Sequence, residues 1–537
     1  MNISFLGAAH EVTGSCHCLK ACGKTILIDF GMRQGEDKND DEELSLPISP
    51  TKVDYVLLTH AHIDHSGYLP LLTKYGFKGQ IYATGATTDL CNIMLRDSAH
   101  IQEFETEWKN RKGKRAGRPE VEPIYDMQDA EEVLTHFVPC EYDKTVNICD
   151  GIDVTFRDAG HLLGSASISV EINEDGLERT VVFSGDIGNL NQPIIEDPTY
   201  IKSADFVVME STYGDKNHEP IEGNYVDNLT EIIESTFKRG GNVIIPSFAV
   251  GRTQELLYFL RKIKERGLVK TNPDFKVYVD SPLAVEATQV FNQNIAGYFD
   301  EEAMALVNAG INPLSFNGLI TSVTSDESKA INFDTDCKVV ISASGMCEAG
   351  RIKHHLKHNL WRPECTILFV GYQAVGTLGR NIYDGAKTVK IFGEEIDVEA
   401  QILTMKQMSG HADQSGLLKW INSYSPKPKG VYVVHGDAKV SEDFAGMLRH
   451  NFGLNAVAPN KNSIYDLATG ECIDFGDEYK PHSSKVKLKS KGSPVFTRLL
   501  SMVDRLVKIA EGYKERPNKD IAKFADQVKA LCDKWDD

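Results

Sequence analysis

A chain of 537 residues, 41% hydrophobic and 25% charged, is long enough for two or three domains and has the composition of a soluble globular protein. Its net charge of −19 argues against a protein that coats nucleic acid through general basicity, and no apolar run reaches the length of a membrane span. Eleven scattered cysteines without a paired pattern point to reduced thiols, and an N-terminus that reads as a first strand rather than a leader points to the cytoplasm.

Taken in chain order, the first 200 residues alternate short β-rich runs with turn signals, at 3–6, 15–19, 25–29, 55–58, 80–83, 152–156, 166–170 and 180–183. Helical patterns interrupt them near 68–75 and 87–104. From about 206 the rhythm changes to strand-then-helix units: 242–246 with 253–264, 276–279 with 284–292, 338–341 with 350–360, and a closing run at 366–370. Such alternation implies a parallel sheet flanked by helices. Past about 385 the β-rich runs return, among them 431–434 just before His435. The expected organisation is therefore a first domain over 1–205, an inserted domain over 206–385, a segment over 386–480 that completes the first domain, and a helical extension over 481–537. In that extension Val495, Leu499, Met502, Val503, Leu506 and Ile509 recur at helical spacing, as do Ile521, Phe524, Ala525, Val528 and Leu531. Two such helices need cover, from the body of the chain or from a second copy in a homodimer.

The densest chemistry lies between Thr59 and Ser66, where His60, His62, Asp64 and His65 follow the apolar run Tyr55-Val56-Leu57-Leu58. Residues two apart on an extended segment share a face, so His60 and His62 can meet at one ion, while Asp64 and His65, past the bend, can reach a second. Asp29, His161 and Asp186 also sit at the ends of apolar runs. Each alone reads as a structural histidine or a turn-forming aspartate; beside the His60 cluster they outline a metal site. Cys16, Cys18 and Cys22 lie along a hairpin strand, where alternation buries two and leaves no fourth partner for a structural zinc. Two basic segments stand on the acidic body: Lys109-Asn110-Arg111-Lys112-Gly113-Lys114-Arg115-Ala116-Gly117-Arg118, and the tail from Pro481 onward. Either can guide a polyanion or be a solvated face.

The constellation resembles the metallo-β-lactamase superfamily. Glu210-Ser211-Thr212-Tyr213-Gly214, Ser409-Gly410-His411-Ala412-Asp413 and Val434-His435-Gly436 resemble the further motifs of its β-CASP nucleases, which include the cleavage and polyadenylation 3′-end endonuclease, its prokaryotic relatives and RNase J. The likeness covers about residues 1–475 and implies an α/β fold, an αββα sandwich carrying an inserted β-CASP domain. It implies that His60, His62 and His161 hold one Zn²⁺, that Asp64, His65 and His435 hold a second, and that Asp186 bridges them. Asp29 matches the aspartate that supports the histidine loop. Glu210 looks like the acidic partner of His411, itself a candidate general acid; with Asp64 these stand closest to the chemistry. A looser likeness, in Pro246-Ser247-Phe248-Ala249-Val250-Gly251-Arg252 and Ser344-Gly345-Met346, suggests that Arg252, Ser344, Arg351, His354 and Arg380 line the cleft and grip phosphates. Helix-surface charge is the alternative for these.

The implied function is a zinc-dependent ribonuclease acting on single-stranded RNA. RNA is expected over DNA because the family's DNA-repair members typically lack the histidine that stands here as His435. Internal cleavage is favoured, with 5′-exonuclease action also open. The chain opens at its first strand, so the RNA-binding KH extension of many archaeal relatives is not expected. A small-molecule hydrolase, of thioesterase or lactonase type, would leave the inserted domain and the Ser409-Gly410-His411 motif idle. A non-catalytic RNA-processing scaffold would be expected to have lost ligands, and every ligand position is filled.

Overall fold

The β-rich runs at the two ends of the chain pair into two sheets that face each other. In the computed structural model, which describes residues 1–34, 46–115, 117, 119–219, 223–405, 408–479 and 518–535, the first sheet has eight strands. Their order is Cys472–Asp474, Ile464–Asp466, Asn2–Gly7, Cys16–Ala21, Lys24–Ile28, Tyr55–Leu57, Gln80–Thr84, Phe137–Cys140. The second has seven, in the order Ala456–Val457, Gly430–Val434, Phe206–Glu210, Leu177–Phe183, Ala166–Glu174, Ile152–Asp158, Thr145–Cys149.

Strand alternation decides what each sheet shows to the other. Ile26 and Ile28 point inward to a core shared with Phe156, Ile168, Phe183, Phe206 and Val208. Leu27, between them, belongs with Leu69, Leu72 and Leu90 of the helices outside. Val207 and Met209 likewise turn outward to Leu417, Trp420, Phe444 and Leu448. Helices thus cover the outer face of both sheets, giving the expected αββα layering.

The inserted domain is a six-stranded sheet in the order Leu319–Thr321, Lys276–Val279, Lys338–Ser342, Val243–Pro246, Thr366–Phe369, Gln401–Thr404, parallel throughout. Its central strand is buried on both faces, Val243 and Ile245 on the side of helices Tyr225–Lys238 and Arg252–Glu265 and Ile244 against helix Ile352–Asn359. Apolar residues at every position of a short strand are what a doubly covered parallel sheet requires. One core runs without a break from the helices over the first sheet into this domain, and Met1–Tyr479 forms one compact unit.

Hydrogen bonding moves two of the expected borders. Strand Phe206–Glu210 pairs with Leu177–Phe183 and Gly430–Val434, so it belongs to the sandwich and not to the insertion expected from 206. Strand Gln401–Thr404 pairs with Thr366–Phe369, which carries the inserted sheet past the expected limit of 385. A change of rhythm along the sequence marks where units alternate; only pairing shows which sheet a strand joins.

Helix Gly85–Arg115 also outruns its expected end at 104, sustained through the basic run by good helix formers. Cys16 and Cys18 are buried on their strand, and Cys22 turns its thiol to the carbonyls of Gly151 and Asn173. The remaining unit, Lys480–Asp537, is described only at helix Asn518–Trp535, and the helix expected near 495–509 lies outside the described residues. Among the described residues no helix is long and apolar enough to cross a membrane.

Candidate metal centre

The histidine loop leaves the end of strand Tyr55–Leu57, and its bend is a single helical turn, Ile63–Ser66, which carries Asp64 and His65. Asp29, just past strand Lys24–Ile28, takes a positive φ of 59° that aims its carboxylate at this loop. Its Oδ1 accepts the Thr59 N–H at 2.8 Å; its Oδ2 accepts the Thr59 hydroxyl at 2.9 Å and faces His65 Nδ1 at 2.8 Å. With Nδ1 occupied, His65 presents Nε2 to the interior. The approach needs Gly31, because a Cβ there would lie 1.6 Å from the Asp64 carbonyl oxygen.

Two further loops close on the first. His161 lies between strands Ile152–Asp158 and Ala166–Glu174, with Nδ1 3.1 Å from the Gly410 carbonyl oxygen, so Nε2 faces inward. Asp186 follows strand Leu177–Phe183. The His161 and Asp186 loops touch at Gly188, where a Cβ would stand 1.7 Å from the Gly160 carbonyl oxygen. His435 ends strand Gly430–Val434 at φ 50°, with Nδ1 3.1 Å from the Thr212 hydroxyl.

The ligand atoms fall into two groups. His60 Nε2 is 3.1 Å from His62 Nδ1, which is 3.2 Å from His161 Nε2. Asp186 Oδ2 lies 3.4 Å from His60 Nε2 and 3.5 Å from His161 Nε2. On the other side His65 Nε2 is 3.2 Å from His435 Nε2, which is 3.6 Å from Asp64 Oδ2. Asp186 Oδ1 faces this second group, 3.3 Å from His65 Nε2 and 3.6 Å from His435 Nδ1. It is buried and has no hydrogen-bond partner.

This donor set fits metal ions. Two ligand atoms at about 2.0–2.1 Å from a tetrahedral zinc stand about 3.3 Å apart, close to the separations seen. Burial, opposed only in part by the nearby carboxylates, holds His60, His62 and His161 below the ordinary histidine range, so each keeps a lone pair to offer. A buried carboxylate oxygen without a donor, among nitrogens facing one another, is a polar centre that a cation would satisfy.

Opposite the clusters, Glu210 ends strand Phe206–Glu210 and His411 precedes helix Gln414–Ile421. Glu210 Oε1 accepts the Ile187 N–H at 2.6 Å and lies 3.1 Å from His411 Nδ1. Burial disfavours the imidazolium of His411, but Glu210 and then Asp186 outweigh it and push the group up to about 9. His411 and Gly410 are adjacent, so one peptide segment sets both this side chain and the carbonyl that orients His161.

The five residues expected to grip phosphates do not gather in this way. Arg252 begins helix Arg252–Glu265 and pairs with Glu255; its neighbour Gly251 lies against Leu162, beside His161. The Ser344 hydroxyl is buried without a partner. Arg351 is bound to Asp280 at 2.8 Å and to the Ser322 carbonyl at 3.1 Å, and Arg380 to Asp384 at 2.8 Å. The His354 ring lies on Phe392, centroids 4.5 Å apart.

Sequence reasoning assigned nothing to Thr59, Thr212 or the Gly410 carbonyl. A hydroxyl directly before the first histidine was a signal for Thr59; a carbonyl 249 residues from the ring it orients leaves none.

Comparison with known proteins agrees with this geometry. The metallo-beta-lactamase superfamily domain matches residues 18–192, the Beta-Casp domain 253–382, and the Zn-dependent metallo-hydrolase RNA specificity domain 395–459. Ribonuclease TTHA0252 of Thermus thermophilus is 39% identical over 437 residues, 81% of this chain and 93% of that protein. The chain belongs to the β-CASP family of the metallo-β-lactamase superfamily. Transcription termination factor FttA of Methanosarcina mazei is 33% identical, over 83% of this β-CASP chain and 68% of the factor. Its counterpart in Methanocaldococcus jannaschii is 32% identical, over 86% and 70%. A crystal structure of a protein of unknown function from Enterococcus faecalis V583 shares the fold at 13% identity, with a TM-score of 0.50, over 86% of this chain and 99% of that one.

Proposed function

We propose that this β-CASP protein is a ribonuclease that hydrolyses phosphodiester bonds of single-stranded RNA, cutting internally, with two zinc ions per chain. The observation that carries the reading is Asp186, whose two carboxylate oxygens face two separate ligand groups across from the His411–Glu210 pair. The ribonuclease and RNA-specificity names among the relatives support RNA as substrate.

Bound between these groups, zinc would supply a hydroxide near neutral pH and offset charge on the phosphoryl oxygens. His60, His62 and His161 would hold one ion and Asp64, His65 and His435 the other, with Asp186 shared. Asp29 fixes the face that His65 presents. His411 directs Nδ1 at Glu210, so the proton it can give up is on Nε2, and the leaving alkoxide is the group that needs it. Glu210 favours the charged imidazolium and holds its plane.

Elemental analysis together with cleavage of a uniform RNA is the direct test. Two equivalents of zinc and internal products are expected. Less than one metal ion after supplementation, or hydrolysis of thioesters or lactones without RNA cleavage, would refute the proposal.

A further inference from the structure

Helix Gly85–Arg115 begins at the metal centre, where the hydroxyls of Thr84 and Thr87 both donate to the Gly164 carbonyl of the His161 loop, at 2.6 and 2.8 Å. Its first half is buried, through Leu90, Cys91, Met94, Leu95 and Ala99. Its second half is not. Ile101, Phe104 and Trp108 are 45%, 65% and 53% exposed. Isolated exposed apolar residues need no explanation, but three large ones in a row on one helix do.

At about 100° per residue, Ile101, Phe104 and Trp108 fall on a single stripe, and Arg111, Lys112 and Arg115 continue it. Glu103, Glu105 and Glu107 fall outside the arc these six span, so between Ile101 and Arg115 the stripe carries no carboxylate; Asp97, one turn earlier on the same face, marks its end. Lys112 Nζ lies 3.3 Å from the centre of the Trp108 ring, and Arg111 reaches sideways to Glu107 at 2.8 Å. The Asn110 amide brackets the backbone of Val121 at 2.8 and 2.9 Å, and Glu103 accepts the Met127 N–H at 3.0 Å, so the following segment is tied back along the helix.

We propose that this stripe is a binding platform for single-stranded RNA, outside the metal centre, that holds the flanking part of the strand being cut. The inference rests on the nuclease reading above. Aromatic rings beside cations are the combination that single strands select, bases on the rings and phosphates on the charges. Charge decides the occupant: on a chain of net charge −19 this surface is basic, complementary to a polyanion. At 1.5 Å rise per residue the stripe lies about 20–40 Å along the helix from the metal loop, so only a strand longer than the cleavage site reaches it.

The test compares two uniform uridine RNAs, bound in the His411→Ala background so that cleavage is slow against the time of the binding measurement. One has about 4 nucleotides; the other has about 20, which even stacked at about 3.4 Å each spans the distance. Phe104→Ala/Trp108→Ala should weaken the long RNA by about 10-fold or more and leave the short one unchanged. Arg111→Ala/Lys112→Ala/Arg115→Ala should make the salt dependence of long-RNA binding shallower by about 2 in log–log slope. These charge substitutions are exposed, so they test the platform even if the apolar pair fails to fold. Unchanged long-RNA affinity and slope, or equal losses for both lengths, would overturn the platform alone. A fall in solution mass on substitution would assign the stripe to a second copy instead. A protein that binds neither RNA would overturn the nuclease reading and the platform with it.

Discussion

The metal centre and the cationic residues of the inserted domain treat charge in opposite ways. At the centre, burial holds His60, His62 and His161 below the ordinary histidine range and Asp186 Oδ1 is buried without a donor, so the polar groups are left incomplete by the protein itself. In the inserted domain, Arg252, Arg351 and Arg380 are each met by a carboxylate of their own: Glu255, Asp280 and Asp384. The first arrangement waits for a cation; in the second a phosphate would have to displace an acidic partner, which costs most where the pair is sheltered, as at Arg252 and Arg351, and least where it is exposed, as at Arg111 and Glu107. Buried polar groups that the fold does not satisfy point to a ligand, while satisfied ones point to structure.

Substitution can break this contrast. The largest effect should come from Asp186→Ala or His62→Ala, which should lose metal and RNA cleavage together, to background in both elemental analysis and a nuclease assay. A variant that keeps two ions would dissolve the distinction. His411→Ala should keep the parent's metal content and RNA affinity while the single-turnover cleavage rate falls about 10²- to 10⁴-fold. Equal loss of metal would make His411 a ligand. Asp29→Asn should weaken metal affinity by about 10- to 100-fold, read in a chelator competition, because His65 loses its orienting partner.

On the other side of the comparison, pH is the sharper probe. Asp280 is buried, which by itself raises its pKa, but hydrogen bonds from His355, Ser328 and Arg351 outweigh this and hold it at about 2. A depressed carboxylate stabilises the fold above its unfolded pKa, and that contribution fades as pH falls from about 4 towards 2. Unfolding midpoints across that window should drop for the parent and stay flatter for Asp280→Asn. The smallest effect belongs to Arg380→Ala: its pair with Asp384 is exposed and screened by water, so the unfolding midpoint should stay close to the parent's. A marked rise in KM for RNA would show instead that Arg380 releases Asp384 to hold phosphate.

What the sequence disclosed followed from how locally each feature is encoded. The histidine loop was legible because four of its ligands fall within six positions after an apolar run. The parallel sheet was legible because Val243–Pro246, Lys338–Ser342 and Thr366–Phe369 each hold an unbroken run of three apolar residues and are followed by helices or turns. Glu210 and His411 were readable only through family resemblance, since no periodicity relates residues 201 positions apart. The sheet membership of Phe206–Glu210 and Gln401–Thr404 was not legible, because pairing partners are chosen in three dimensions. Nor did the charges of Arg351 and Arg380 disclose that each is met by a carboxylate.

The place of His435 also sets an order of events in the life of the chain. Its strand, Gly430–Val434, is laid between Phe206–Glu210 and Ala456–Val457, and the first strand, Asn2–Gly7, waits for Ile464–Asp466. Pairings so distant in sequence form late and slowly. Six of the seven candidate ligands lie within the first 186 residues, so the centre is complete only once the strand before His435 has paired with Phe206–Glu210.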